Sequence, residues 1–270
     1  MGLFNSSKEV TPGIRLSTLT SAWPLLSAGQ LPAAHITATH ERKLRPTQSS
    51  FGGNLILPKD VPWPTNSKGQ KLVPLAQLNH AEMPPLPGFP QKGWTQFYTG
   101  PDDSFGMNWH NPTDQENFRV LHIESLDESN AHIISHDPTL SPVAMPYALS
   151  FTLQQEYTGI YDIRFEKRLG KHARDFAEGF GKDFKSAERE LIKYFSGRQH
   201  KVNGYAWFPE HQDPRYMNVT FHDYILLLQI VHQKPGIEWG KDGVGSFFIH
   251  PDDLLKKDFS NVIFHWDTLG

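Results

Sequence analysis

The sequence predicts an α+β fold of mostly antiparallel strands, built as two pseudo-equivalent halves with a helical insertion between them. Two observations support this prediction. Three short motifs occur in the same order at about 50–100 and again at about 202–250. Between these copies, apolar residues recur every three or four positions over about 170–197, which is the pattern of an amphipathic helix.

The repeat rests on spacing as well as on residue type. Each copy has a glycine five positions before a proline, then a glutamine within an apolar strand, then a second glycine that opens another strand. The proline and the glutamine are 19 residues apart in the first copy and 20 in the second. The motifs are GGNLILP, LAQLN and GWTQFY in the first copy, and GYAWFP, LLQIV and GVGSFF in the second. Because a unit of about 45 residues buries too little apolar surface to fold alone, we expect residues 1–270 to form a single domain.

The elements of the first half follow from local pattern. Alternation of polar and apolar residues predicts a strand over 32–43. The Gly52–Gly53 pair predicts a turn or bulge with positive φ, followed by the short strand LILP. The buried strand KLVPLAQLN at 71–79 ends at Asn79, which is placed to cap a short helix. GWTQFY at 93–98 predicts the next strand.

After the first copy of the repeat, the sequence predicts further strands and then the helical insertion. The predicted strands cover 118–126, 132–136, 147–153 and 160–165. Gly179 and Gly181 break the helical pattern in two, and Gly197 stands where a helix ends on a C′ glycine. After the second copy, Pro251 opens a short helix, and 262–266 is the last predicted strand.

Composition limits the partners and the chemistry. The chain is 38% hydrophobic, which is ample for a packed core. A net charge of −3 offers no basic footprint for nucleic acid. The longest strongly apolar run, 224–231, is far shorter than a membrane span. The absence of cysteine excludes disulfides, thiolate catalysis and Cys-based zinc sites.

The N-terminus raises one alternative about location. MGLFNSSKEV has neither the basic start nor the apolar core of a secretory signal, so we expect a cytoplasmic protein. The same residues fit the N-myristoylation pattern, with Gly2 as the acceptor and Ser6 at the required spacing. That modification requires a eukaryotic source, and a bacterial protein would never meet the acylating enzyme.

The repeated motifs also carry a family resemblance. FGGNLILPKDVPWP, LVPLAQLN and KGWTQFY, with NGYAWFPEHQDPR, DYILLLQIV and IEWGKDGVGSFFIHPDDLLKKDFS, resemble the YwqG-like proteins, a bacterial domain of unknown function. The resemblance covers roughly 45–270 and implies a compact β-rich fold without an established activity. Members often occur near secreted toxin systems, which implies an immunity or partner-binding role for some. This chain departs from the family at Lys241, where an Asp is expected after Trp-Gly, and its 101–165 region is divergent.

The chain contains 14 histidines, which are candidate metal ligands. His132 and His136 are four residues apart, but in a strand that spacing places them about 13 Å apart. His122 and Glu124 share a face of their strand, separated by more than a chelate allows. The sequence therefore predicts no metal site and no cofactor.

The stretch EHQDPR at 210–215 is the best candidate for chemistry. In an extended segment His211, Asp213 and Arg215 would point the same way, as a base, its orienting group and an anion holder. The alternative is a turn in which Asp213 caps backbone amides and Arg215 pairs with a carboxylate. The sequence has no GxSxG elbow and no phosphate-binding glycine loop.

Five further residues have both a binding and a structural interpretation. Gln77 and Gln229 occupy equivalent places in apolar strands, so each either ties its strand to a loop or faces a pocket on the pseudo-two-fold axis. Trp63, Trp207 and Trp239 are either core residues or binding residues.

These observations predict a non-enzymatic binding protein whose partner is another protein, with toxin neutralisation as the most concrete version. We expect the interface in the divergent 101–165 region, and the acidic balance favours a basic partner. The alternative is a small-molecule binder or hydrolase with a cleft between the two halves, using His211, Asp213 and Arg215.

Overall fold

A computed structural model describes residues 8–210 and 212–269, so the Gly2 hypothesis lies outside the described residues. The first part of the chain contains β1 (Lys8–Thr11), β2 (Ile14–Leu16), α1 (Trp23–Ser27), β3 (Leu31–His40), β4 (Ser50–Phe51), β5 (Leu55–Pro58), β6 (Val73–Asn79), β7 (Trp94–Thr99), β8 (Arg119–Ile123), β9 (Ala131–Ile134) and β10 (Tyr147–Glu156). The second part contains α2 (Ile163–Leu169), α3 (Ala173–Glu178), α4 (Phe184–Phe195), β11 (Lys201–Asn203), β12 (Ile225–Val231), β13 (Lys241–Ile249), α5 (Pro251–Lys256) and β14 (Ile263–Leu269).

Ten of these strands form one antiparallel sheet, so the fold is α+β. The strand order is β14-β13-β12-β11-β3-β10-β4-β6-β7-β8. At its centre, β3 and β10 pair over their whole length, from Leu31 opposite Glu156 to His40 opposite Tyr147. The strands β5 and β9 form a separate two-stranded sheet, as do β1 and β2.

The sheet curls so that its two ends meet over one apolar core. Phe97 on β7 and Phe247 on β13 are second from opposite ends of the sheet, yet their ring centroids are 4.8 Å apart. Phe118 lies 5.3 Å from Phe264 on the opposite edge strand. Because one face of every central strand is buried against this core, the pairing register of the sheet is strongly specified.

The helices α1 to α4 pack with the N-terminal segment as a second apolar cluster. Leu16, Leu26, Leu191 and Phe195 are among its buried members. The carboxylate of Glu190 on α4 accepts hydrogen bonds from the backbone N–H groups of residues 17, 18 and 19, which fixes the helix against the N-terminal strands. None of the helices within the described ranges is long and apolar enough to cross a membrane.

Local signals in the sequence account for most element boundaries. Asn79 caps a single 3-10 turn by accepting a bond from the N–H of Ala81 (3.1 Å). Gly52 and Gly53 have φ of +60° and +76°, which is the conformation that the pair predicted. The strand predicted over 160–165 is wrong, because Asp162 caps α2 there.

Several histidines are buried in this core and must remain neutral. His200 accepts a bond from the N–H of Val231 at Nδ1 (3.1 Å), and its Nε2 lies 2.9 Å from Gln233 Oε1. Burial lowers the pKa of His200 to about 4, and burial likewise lowers the pKa values of His80 and His265 to about 4. Protonation of Nδ1 would also remove the acceptor that Val231 uses.

We expect the free energy of unfolding to fall as the pH falls from about 6.5 to about 4. In this window the unfolded chain binds protons at these histidines while the folded chain does not, so acid favours unfolding. The lowered pKa of His200 corresponds to at most about 3 kcal/mol. In His200→Asn, the amide oxygen takes the place of Nδ1 without titrating. Urea unfolding of both proteins from pH 7 to pH 4 measures how the free energy of unfolding depends on pH. If His200→Asn shows the same pH dependence as wild type, His200 does not contribute as expected.

Candidate functional site

The segment 210–215 forms a capped turn with a buried arginine. Asp213 is the N-cap of the 3-10 turn Pro214–Met217, where its Oδ1 accepts a bond from the N–H of Arg215 (3.0 Å). The Arg215 guanidinium is fully buried and donates two bonds to the Asp213 carboxylate, at 2.9 and 2.7 Å. His211, the third residue of the catalytic hypothesis, lies outside the described residues.

A second aspartate, from the start of α2, completes the surroundings of this arginine. Asp162 Oδ2 lies 2.9 Å from Arg215 Nη2. The same carboxylate accepts bonds from the Arg164 guanidinium at 2.8 and 2.7 Å and from the N–H of Ala206 at 2.8 Å. Arg215 Nη1 donates to the carbonyl of Tyr224 at 3.0 Å. Two aspartates and two arginines therefore form one buried ionic cluster without net charge.

Asp162 and Arg215 stay ionised in the buried cluster. Burial alone would raise the pKa of Asp162, but Arg164 and Arg215 outweigh it and hold that pKa far below its usual value. Burial alone would lower the pKa of Arg215, and Asp162 and Asp213 reverse that effect. Since the bonds of the Arg215 guanidinium go to groups of the chain itself, the geometry favours the structural interpretation of this segment.

Gln77 and Gln229 are fully buried and make equivalent bonds. Gln77 Nε2 donates to two backbone carbonyls of the segment 46–48, at 2.9 and 3.0 Å. Gln229 Nε2 donates to two carbonyls of the segment 197–199, at 3.0 and 2.8 Å. Each amide thus ties its strand to a loop, as the structural interpretation of these glutamines describes.

The three tryptophans singled out from the sequence are anchored in the structure. Trp239 is fully buried in the main core, and Trp207 is 6% exposed. The backbone N–H of Trp207 donates to Gln229 Oε1 at 2.8 Å, and the Arg198 guanidinium lies over the Trp207 ring. Trp63 is half-buried and donates from Nε1 to the carbonyl of Leu72 at 2.8 Å.

The paired histidines are also engaged in the fold. His132 lies on β9, opposite Leu57 of β5. The two ring nitrogens of His136 lie 2.9 and 2.8 Å from the carbonyl oxygens of Pro74 and Val143. Within residues 8–210 and 212–269, no three His, Cys, Asp or Glu side chains are placed to hold one metal ion.

A cleft of about 630 Å³ lies where β3 and β10 meet the end of α4. Its floor carries an ionic group that the sequence analysis did not find. The Glu156 carboxylate accepts bonds from Lys201 Nζ at 2.8 and 2.9 Å, and its Oε1 lies 2.7 Å from His35 Nε2. Lys201 is fully buried, and Glu156 is nearly so. No sequence signal marks Lys201, because its strand reads only Lys-Val-Asn.

A long loop, residues 101–118, spans the gap between the two ends of the sheet. The Phe105 ring packs against Trp239 and Trp266, at 5.7 Å from each. At the other end of the loop, Gln115 Nε2 donates to the carbonyl of Phe259 at 2.6 Å. The loop is therefore fixed to the second part of the chain, although it contains no helix or strand.

This loop exposes the one tryptophan of the described residues that is more than half accessible. Trp109 is 51% exposed, and its ring packs edge to face with His265, with the ring centroids 5.4 Å apart. No periodicity or repeat partner marks Trp109 in the sequence. Its exposure depends on how the loop is anchored.

A family model described as a domain of unknown function (DUF1963) matches residues 49–268. This range begins at the start of the central sheet's β4 and ends within β14. The chain belongs to this family. The DUF1963 match includes both buried glutamines, the ionic cluster and the 101–118 loop, whereas His35 on β3 lies before it. No curated protein matches the chain significantly.

We expect Arg215→Ala to lower the free energy of unfolding by about 3–5 kcal/mol, because it leaves two buried carboxylates without their shared cation. Arg174→Ala is the matched control. Arg174 pairs with Glu178 on the surface, and that exposed pair contributes about 0.5 kcal/mol. Urea unfolding of the three proteins measures the difference. A stable Arg215→Ala protein, close to the control, would show that the cluster does not hold the fold.

Proposed function

We propose that this protein is a non-enzymatic binding protein, and that its partner is another protein held at the 101–118 loop. The exposed Trp109 carries this proposal. Exposed tryptophans in rigid surroundings are the typical anchors of protein interfaces. A loop that is already ordered loses little conformational entropy when it binds.

The charges of the loop indicate what kind of partner would fit. Residues 101–118 contain four carboxylates and no Lys or Arg. These are Asp102, Asp103, Asp114 and Glu116. Hydrogen bonds from Ser67 lower the pKa of Glu116, so its charge persists into mildly acidic solution. An aromatic anchor on a loop that carries carboxylates and no Lys or Arg favours a partner with a basic, partly apolar surface.

The buried charges support binding over catalysis. The Asp213 and Arg215 side chains bond to each other and to groups of the fold, as described above. A general base needs a free atom within hydrogen-bond reach of its substrate. Sequestering a partner needs only complementary surface.

The proposal extends to the type of partner and to the division of the chain into two halves. The YwqG-like resemblance favours a cytoplasmic immunity role, in which the basic partner is a toxin. We also propose that the chain consists of two equivalent halves, β3 to β8 and β10 to β14. Supporting this, Gln77 pairs with Ser50 and Gln229 with Lys201 in matching strands. On this division the helices α2 to α4 follow the first strand of the second half, and so lie within that half and not between the two halves as the repeat spacing predicts.

We expect Trp109→Ala to weaken partner binding about thirtyfold or more, the effect of removing an interface anchor. Tagged wild type, Trp109→Ala and Leu25→Ala would be used to capture partners from the native lysate. Leu25 is 57% exposed on α1 and serves as the matched control. A protein retained by wild type and the control, and lost by Trp109→Ala, supports the proposal.

Two results would contradict it. Equal retention by all three proteins would place the interface elsewhere, and the absence of any stoichiometric partner would remove the binding function itself. The salt dependence of capture tests the proposed charge complementarity separately. Capture by wild type should weaken with rising salt, since interactions between exposed charges are screened.

A further inference from the structure

The cleft above the Glu156–Lys201 pair has the size and lining of a small-molecule site. Its volume of about 630 Å³ lies within the range of ligand pockets. Three parts of the chain form its walls: the β1–β2 turn, the end of β10, and the residues that follow α4. Side-chain amides of Gln154 and Gln199 and the aromatic rings of Tyr157 and Tyr194 line it.

The floor of the cleft holds one imidazole in a fixed orientation. Glu156 accepts two bonds from Lys201 and one from the backbone N–H of Tyr205 (2.8 Å), in addition to the contact with His35. Gly204 makes room for this carboxylate, because a Cβ there would lie 2.3 Å from Glu156 Oε2. His35 Nε2 is therefore committed to Glu156. Its Nδ1 makes no bond within the described residues, and the side chain is 28% exposed in the cleft.

The charges that face the cleft are positive in excess. Glu156 is its only lining carboxylate, and Lys201 neutralises it. Lys193 and Arg198 line the opening with exposed side chains. Arg198 pairs with Asp242, which is not part of the lining, and Lys193 has no ion pair in the described part of the chain. An anion entering the cleft would thus meet the ammonium group of Lys193, the guanidinium of Arg198 that Asp242 pairs, and His35.

Stability does not explain the ionic group at the floor. Lys201 pairs with Gln229 in the sheet, and the residue paired with Gln77 in the same manner is Ser50. The equivalent strand pair, β4 with β6, therefore forms without a buried lysine. Burying a lysine and a glutamate carries a desolvation penalty that apolar packing would avoid.

We propose that this cleft binds a small oxyanion, the carboxylate or phosphate group of a polar metabolite. The anion lies against Arg198, Lys193 and the protonated ring of His35, whose Nε2–H donates to Glu156 and whose Nδ1–H donates to the anion. The neighbouring amides and tyrosines bind the rest of the molecule. Glu156 and Lys201 act as positioning residues, because they hold the His35 ring with Nδ1 toward the ligand.

Calorimetric titration of the full chain with citrate and with inorganic phosphate tests this assignment. Binding of either anion is expected, and their relative affinities distinguish a carboxylate from a phosphate ligand. His35→Gln keeps an N–H donor for Glu156 and removes Nδ1, so we expect about tenfold weaker binding with an unchanged fold. Arg198→Ala should weaken binding by a similar factor.

Lys43→Gln is the matched control, since Lys43 lines a separate cleft beside β5. It should bind the anions as wild type does. The proposal is overturned if neither anion binds, if His35→Gln and Arg198→Ala bind as tightly as wild type, or if the control loses affinity equally. None of these outcomes depends on the 101–118 loop, so the cleft and the protein interface are tested separately.

Discussion

The pairing of β3 with β10 is the constraint on which the rest of the structure depends. These two ten-residue strands form the centre of the sheet. β3 pairs outward with β11, which follows it by about 160 residues, whereas β10 pairs outward with β4, which precedes it. Neither side of the sheet can therefore be completed by a continuous piece of chain. Contacts of such long sequence separation favour cooperative, slow folding over independent units.

The same arrangement concentrates the buried polar groups where distant segments meet. Asp162 and Arg215 join the start of the helical segment to the second part of the chain, and Glu156 joins β10 to Lys201 of β11. Each group is ionised because its partner offsets the cost of burial. The Asp162–Arg215 group holds the scaffold, whereas Glu156 and Lys201 fix the His35 ring in the cleft. The exposed features, Trp109 and the lining of the cleft, are left to interact with other molecules.

Sequence reasoning succeeded where the signal was local. The Gly52–Gly53 turn, the Asn79 cap and the alternating strands depend on residues close in the chain, and the structure has all of them. It failed at 160–165, where an N-cap aspartate outweighs strand propensity. It also could not find His35 or Trp109, because the orientation of one and the exposure of the other are set by residues far away in sequence.

Native-state hydrogen exchange in low concentrations of urea tests the central role of the β3–β10 pair most directly. If this pair unites the sheet, amides of β6 and β12, on opposite sides of it, exchange with the same opening free energy as those of β3 and β10. That common value should equal the free energy of global unfolding. Exchange of one side at a clearly lower free energy, while the other side stays protected, would contradict the account and show two separately folding units.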